Sequence, residues 1–408
     1  MKLNRLLFLS AFCVRLFAAD ADEWPQFLGP SRNGVYSGSS LSTNWEKTPP
    51  KVLWKQKLGE GFAGPVCAMK KVLIFQRIED QEVLSCLDER SGKSIWECKH
   101  PTHYRDDFGF DEGPRATPAI QADRVYTLGA EGMIECVDFR DGHSVWKLDS
   151  RKEFGAGKGY FGMACSPLIE GENVLLNIGG ENGAGIIALD RKNGKLKWKA
   201  TASAASYSSP VNASLDGKAY SLFFTRSGLV IIDPTTGAVK VDFPWRSKMD
   251  ASVNAATPIV VDDHIFLSAS YGTGAILLKW NKGTLEKVWS ADEVLSNHYA
   301  SSVYKDGYLY GFDGRQEFGP SFVCVEFKTG KLQWRKENFG AGTVTLAGDK
   351  LLVLKESGEL QLCAANSKNF ELLGQTQILG STVRAYPAIA NKTLFARDKS
   401  QLVAVQLP

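Results

Sequence analysis

The chain has 408 residues, 44% of them apolar and 11% aromatic, so it can bury a large core and lacks the composition of a disordered polymer. Its formal net charge of +3 comes without a basic stripe, which argues against nucleic-acid binding. Length alone allows two or three domains, but internal repetition is tested before that count is made, and here repetition decides.

Residues 1–21 combine a basic start at Lys2 and Arg5, an apolar run from Leu6 to Val14, and small residues at Ala18, Ala19 and Ala21. That is the pattern of a secretory signal peptide, and it predicts a periplasmic or extracellular protein; the run is too short for a transmembrane segment. Cys13 follows the bulky Phe12, which argues against lipid attachment there. Residues 22–51 are rich in Gly, Pro, Ser and Asn and read as an irregular N-terminal arm. Seven of the eight cysteines lie beyond residue 21, an odd number, so they cannot all pair within the chain.

From Gly64 onward the same unit returns. Each copy opens with a small residue, then in most copies Pro and an apolar pair, at Pro65, Pro118, Pro167, Pro210 and Pro258, with looser versions at Ser302, Thr343 and Pro387. Proline is tolerated as the first residue of a strand, where its missing N–H costs no ladder bond. Successive starts lie 41 to 53 residues apart, giving eight units. A second strand follows in each, and then a hairpin of fixed pattern: an apolar strand reaching Asp, a turn containing Gly, and a strand closed by Trp four residues later. The clear copies carry Asp88, Gly92 and Trp96; Asp138, Gly142 and Trp146; and Asp190, Gly194 and Trp198. Gly330 and Trp334 follow Glu326 in a fourth, while Asp233 and Gly237 lead to Val241 in a worn copy, and another worn copy ends at Trp289. Asp accepts hydrogen bonds from turn N–H groups, and Gly supplies the positive φ of a bulged turn. Cys86, Cys136 and Cys324 share one position before the acidic residue and read as small buried hydrophobes. Thr284 to Ser296 is the only stretch with helical leanings.

Four short strands at this period predict an all-β protein, an eight-bladed β-propeller of four-stranded antiparallel blades. The eighth unit stops after its third strand, and the orphan segment Val52 to Leu58, containing Trp54, is expected to complete it. Residues 52–408 are then one closed ring, which leaves no open end to the stack.

The repeat, at its clearest ALDRKNGKLKW, resembles the pyrroloquinoline-quinone-type (PQQ-type) propeller repeat of quinoprotein alcohol dehydrogenases and of the BamB-type outer-membrane assembly propeller. The opening WPQFLGPSRNG from Trp24 resembles the start of secreted PQQ-like propellers of unassigned function. The resemblance to the dehydrogenases implies a quinone over a tryptophan, a calcium or lanthanide ion held by Glu, Asn and Asp, and a disulfide between adjacent cysteines. The chain has no Cys-Cys pair and no CxxCH haem motif. PQQ with calcium, serving a dehydrogenase of alcohols or sugars, is therefore the alternative to a binding scaffold that catalyses nothing itself.

A propeller is a scaffold, so function must come from a site. The segments before each inner strand are delivered to the channel mouth, and they bring Arg115, Arg384, Tyr160, Tyr207, Asn254, His298 and Tyr299 to one rim, with Glu60 expected between the two arginines. Two guanidiniums among aromatics suit an anionic small molecule, because Arg holds carboxylates bidentately. The competing reading is that both arginines pair with loop carboxylates or carbonyls. The rim aromatics also admit polysaccharide recognition, and the resemblance admits an envelope or secreted protein partner; a monomer is expected. The loop from His100 to Arg115 carries His100, His103, Asp106, Asp107, Asp111 and Glu112, which reads as a solvated acidic loop rather than a metal site. No catalytic residue and no metal ligand is assigned. The glycine-rich stretch Glu153 to Gly162 lacks the order of a phosphate loop and reads as a connection between blades.

Overall fold

The computed structural model describes residues 22–250 and 252–408, so the signal-peptide expectation lies outside the described residues. Eight sheets follow one another in chain order, each with the antiparallel sequence of an up-and-down blade. Blade 1 is built from Val66–Ala68, Lys71–Ile78, Gln81–Asp88 and Ser94–Pro101, innermost strand first. In blade 8 the three strands Ala388–Ala390, Thr393–Arg397 and Gln401–Gln406 are completed at the outer edge by Lys51–Lys57. Trp54 stands opposite Ala404 in that pairing, so the two ends of the chain close the ring as the sequence requires.

Each hairpin turn is held as its residues dictate. In blade 1, Asp88 Oδ1 accepts from Ser91 N at 2.8 Å, while the Asp88 carbonyl accepts from Gly92 N at 2.8 Å. Gly92 has φ +68°, and the ladder shifts register between Cys86 and Leu87, a bulge that sets Trp96 opposite Cys86. Cys86, Cys136 and Cys324 are fully buried, each opposite its hairpin's tryptophan.

The same turn also joins neighbouring blades. Trp96 donates its indole N–H to Phe139 O of blade 2 at 3.1 Å, and a Cβ at Gly142 would lie 2.5 Å from the Trp96 ring. Glycine is thus needed there twice, for φ and for the indole that presses on it. Equivalent indole bonds run from Trp54, Trp146, Trp198, Trp289 and Trp334 to the next blade. Where blade 4 has Val241 in place of Trp, Trp280 of blade 5 reaches back instead, donating to Asp216 Oδ2 at 2.7 Å and packing on Tyr220. Where blade 7 has Gly374, Trp45 of the arm covers it, with arm atoms 2.8 Å from the position of an added Cβ.

The stretch with helical leanings begins as strand, in keeping with the worn hairpin that ends at Trp289: Thr284–Ala291 is the outer strand of blade 5, paired with Gly274–Asn281. Its turn is Lys282-Gly283 with φ +48° and +95°, the two positive values of a type I′ hairpin, and this short turn commits the segment to the sheet.

The arm is more ordered than its composition suggests. It enters at the hairpin end of the ring, where Glu23 accepts from Met69 N at 2.7 Å, and Trp24 exchanges two 2.9 Å backbone bonds with Cys67 of the blade 1 inner strand. Pro25 O then accepts from Ile120 N in blade 2 at 2.7 Å. Arg32 is buried in the channel and donates to Ser166 O at 3.1 Å, Pro167 O at 2.9 Å and Pro210 O at 2.7 Å, stitching blades 3 and 4. Burial pulls its guanidinium down to about 10. Finally Val35–Tyr36 pairs in parallel with the inner strand Gly342–Ala347 of blade 7. The arm therefore fills the channel of the propeller.

Candidate functional site

Antiparallel alternation sends two loops of every blade to one end of the ring: the loop before the inner strand and the loop between the second and third strands. At that end lies a cavity of about 410 Å³. Phe27 of the arm lines this cup, edge-on to Tyr386 at 5.3 Å. Phe62, Phe108, Phe110 and Phe161 supply much of the wall, with Tyr207, Tyr271, Tyr299 and His298 facing them.

Five of the residues singled out from the sequence line this cavity: Arg115, Arg384, Tyr207, His298 and Tyr299. Both guanidiniums lie 5.5 Å from the centre of the Phe62 ring. Both are also ion-paired, Arg115 Nη2 with Asp106 at 2.8 Å and Arg384 Nε with Glu356 at 2.6 Å. Both arginines thus pair with carboxylates, as the competing reading expects, while lining one cavity. Tyr160 sits outside the lining, 6.2 Å from Phe108 and beneath the Arg226 guanidinium at 5.3 Å. Asn254 is buried and structural, its side chain donating to Thr225 O at 2.8 Å and its carbonyl accepting from Ser208 N at 2.9 Å. Glu60 does not stand between the arginines. Its backbone pairs with Arg77, at 2.9 and 2.8 Å, which turns it into a separate charged groove with Asp80, Arg105 and Glu112.

The acidic loop is spent on internal partners. His100 is buried between Glu82, at 2.9 Å from Nε2, and Glu135, at 3.2 Å from Nδ1. His103 N donates to Glu131, Asp107 pairs with Lys158, Asp111 caps Gly113 N, and Glu112 pairs with Arg105. Asp138, Asp141 and His143 approach one another elsewhere, but Asp138 is already held by Arg124 and Arg140. The glycine-rich connection follows a short helix, Ser150–Phe154, and hands Tyr160 N and Phe161 N to Tyr207 Oη at 3.0 Å each.

Among the cavity residues that the sequence reading missed are Arg315, Gln316 and Glu317, which come from the loop between strands two and three of blade 6. Counting strands alternately from each Pro start places that loop at the same end. Arg315 pairs with Glu317 at 3.0 Å and lies 4.6 Å from the Tyr271 ring centre. Tyr271 Oη is 2.9 Å from His298 Nε2, and burial pulls the His298 imidazole down to about 4, so it is neutral at physiological pH. Burial likewise raises the Tyr207 phenol, whose oxygen serves as an acceptor.

A calcium–quinone pair does not fit this donor set. Among the described residues the lining contains no tryptophan and no cysteine, and its one carboxylate, Glu317, is engaged by Arg315, as Asp106 and Glu356 behind it are by Arg115 and Arg384.

The model of the family described as outer membrane protein assembly factor BamB matches residues 79–318. The outer membrane protein assembly factor BamB of Kangiella koreensis is 26% identical over 158 residues, 38% of this chain and 35% of that protein. The match thus spans about a third of the length of that curated relative. Among solved structures, BamB from Moraxella catarrhalis superposes with TM-score 0.63 at 14% identity over 88% of this chain and 98% of that one. The quinohemoprotein alcohol dehydrogenase from Comamonas testosteroni gives TM-score 0.68 at 13% identity, covering 96% and 81%. At such identities the likeness is one of fold.

Proposed function

Because the chain belongs to the PQQ-like propeller family described as outer membrane protein assembly factor BamB, we propose that it is a binding propeller of the envelope or secreted fraction that holds a small anionic aromatic molecule and performs no catalysis itself. The observation that carries this is the pair of arginines beside Phe62. A guanidinium has five N–H donors, and Arg384 spends only Nε, on Glu356, while Arg115 spends one bond on Asp106 and one, at 3.3 Å, on Asp111 O. Both side chains line a cavity rich in aromatic rings, which suits a ring bearing a carboxylate. The basic, apolar and small-residue run of residues 1–21 supports the location, as does the outer-membrane description of the family.

Isothermal titration of a panel containing 3-phenylpropionate, benzoate and PQQ tests this. Single-ring acids are expected to bind wild type and to weaken about tenfold in Arg384→Ala, the cost of a lost charge-assisted hydrogen bond. Equal weak signals in wild type, Arg115→Ala and Arg384→Ala end the reading. Calcium-dependent dye reduction with PQQ would favour the oxidoreductase alternative instead. A protein partner is the second reading, favoured by apolar side chains around the mouth: Phe108, Phe110, Met249 and Phe318 are 53%, 45%, 50% and 77% exposed. Phe318→Ser, outside the cavity lining, would then lose the partner while keeping the acids.

A further inference from the structure

We infer that the molecule held at the channel mouth carries, at the end away from its carboxylate, a phenolic hydroxyl seated against blade 6; this rests on the carboxylate reading just given. The motivating feature is a cluster of unmet polar capacity. Among the described residues, Arg315 Nε, Gln316 Oε1, His298 Nδ1 and Tyr299 Oη are sheltered from solvent and have no hydrogen-bond partner, and all four belong to side chains that line the cavity. A buried polar atom without a partner is costly, so four in the loops of blade 6 beside one cavity mark a surface that a bound molecule completes.

Their chemistry narrows the partner. Arg315 Nε only donates and Gln316 Oε1 only accepts, and the two come from adjacent residues. A hydroxyl does both, donating to Gln316 and accepting from Arg315. A methyl or a hydrogen does neither, and a second carboxylate meets the donor while facing the acceptor and Glu317. The position is also right. His298 precedes the inner strand Val303–Lys305 of blade 6, and Arg115 precedes Ala119–Gln121 of blade 2, four places away around a ring of eight. A carboxylate at Arg115 therefore aims the far end of a para-substituted ring across the cup toward Arg315 and Gln316, and the neutral His298 is free to join the network. Rings such as Phe62 and Phe161 pack the body in between.

The test compares 3-(4-hydroxyphenyl)propionate, 3-phenylpropionate and 3-(4-methoxyphenyl)propionate by titration calorimetry against the full chain and Gln316→Leu. Wild type is expected to favour the hydroxyl acid over both others by about tenfold, since a site built around a hydroxyl is left unpaired without it. In Gln316→Leu the ratio is expected to fall near one. Equal affinities in wild type, or a preference that survives Gln316→Leu, overturn the hydroxyl assignment and leave the carboxylate site standing. Failure of all three acids to bind removes the carboxylate reading and this inference with it. The three-acid comparison in wild type decides the matter even if the variant does not fold.

Discussion

Raising the pH above neutrality is expected to loosen the seam between blades 1 and 2, because His100 is clamped there as an imidazolium between Glu82 and Glu135. Burial pulls the His100 imidazole down, but hydrogen bonds to Glu135 and Glu82, and the charges of both, outweigh it and push the group up to about 9. A raised folded value means that the stabilisation is whole below the ordinary histidine value of about 6.5 and is lost as pH climbs through 9. At ~1.4 kcal/mol per pH unit between the two values, the clamp contributes roughly 3 kcal/mol at its fullest, and about 2 kcal/mol of that goes between pH 6.5 and 8.5. The His100 side chain is only 5% exposed, so solvent screening does not erase the figure. Burial raises Glu135, yet hydrogen bonds from His100 and Ser144 hold it below the ordinary carboxylate value, so its own contribution is present above that value and fades in acid. Stability should therefore plateau in mildly acidic buffer. Urea unfolding at about pH 6.5 and 8.5, followed by tryptophan fluorescence, measures the loss in wild type and in His100→Gln. A wild-type loss no larger than that of the variant would refute the clamp.

Two further outcomes concern the ring itself. Gly142→Ala and Gly217→Ala both place alanine at positive φ, +80° and +70°, but only at Gly142 does the new Cβ meet Trp96, at 2.5 Å, whereas nothing lies within 4 Å at Gly217. Each should cost about 1 kcal/mol for the backbone, with Gly142→Ala losing at least a further ~1 kcal/mol by thermal unfolding; equal losses would show that the tryptophan does not press there. Arg32→Met strands three carbonyls, of Ser166, Pro167 and Pro210, and should lower stability by roughly 3 kcal/mol, while a loss under ~1 kcal/mol would mean that the plug is ornamental to folding.

The blades were legible because each hairpin states its own geometry locally: acid, turn, glycine and tryptophan lie within nine residues, as from Asp88 to Trp96. The reason the same glycine is also an inter-blade contact was not legible, since Gly142 belongs to one repeat and the Trp96 that packs on it to the one before. The helical leanings of Thr284 to Ser296 came from residues with good helix propensity, and the Lys282-Gly283 turn just ahead of them overrode it. In the arm, composition misled in the opposite direction. Trp24, Pro25 and Arg32 find distant backbone partners on or just before the inner strands of blades 1 to 4, and such partners have no trace in local sequence.

For the site, the division of labour between the two ends of the ring explains what could be read. The tryptophan-bearing hairpins all turn at one end, where repetition constrains every residue, and the arm enters at that end as well. The other end collects loops that the repeat leaves free, so Arg115, Arg384 and Arg315 occur once each and can be chosen for a ligand rather than for closure. Their carboxylate partners fix the guanidiniums in place before anything binds, Asp106 from a fully buried position behind Arg115. Glu60 shows the limit of the same argument: it sits in the correct loop, yet two backbone bonds to Arg77 carry it over the edge of the blade, because strand pairing outranks loop position in deciding where a side chain ends up.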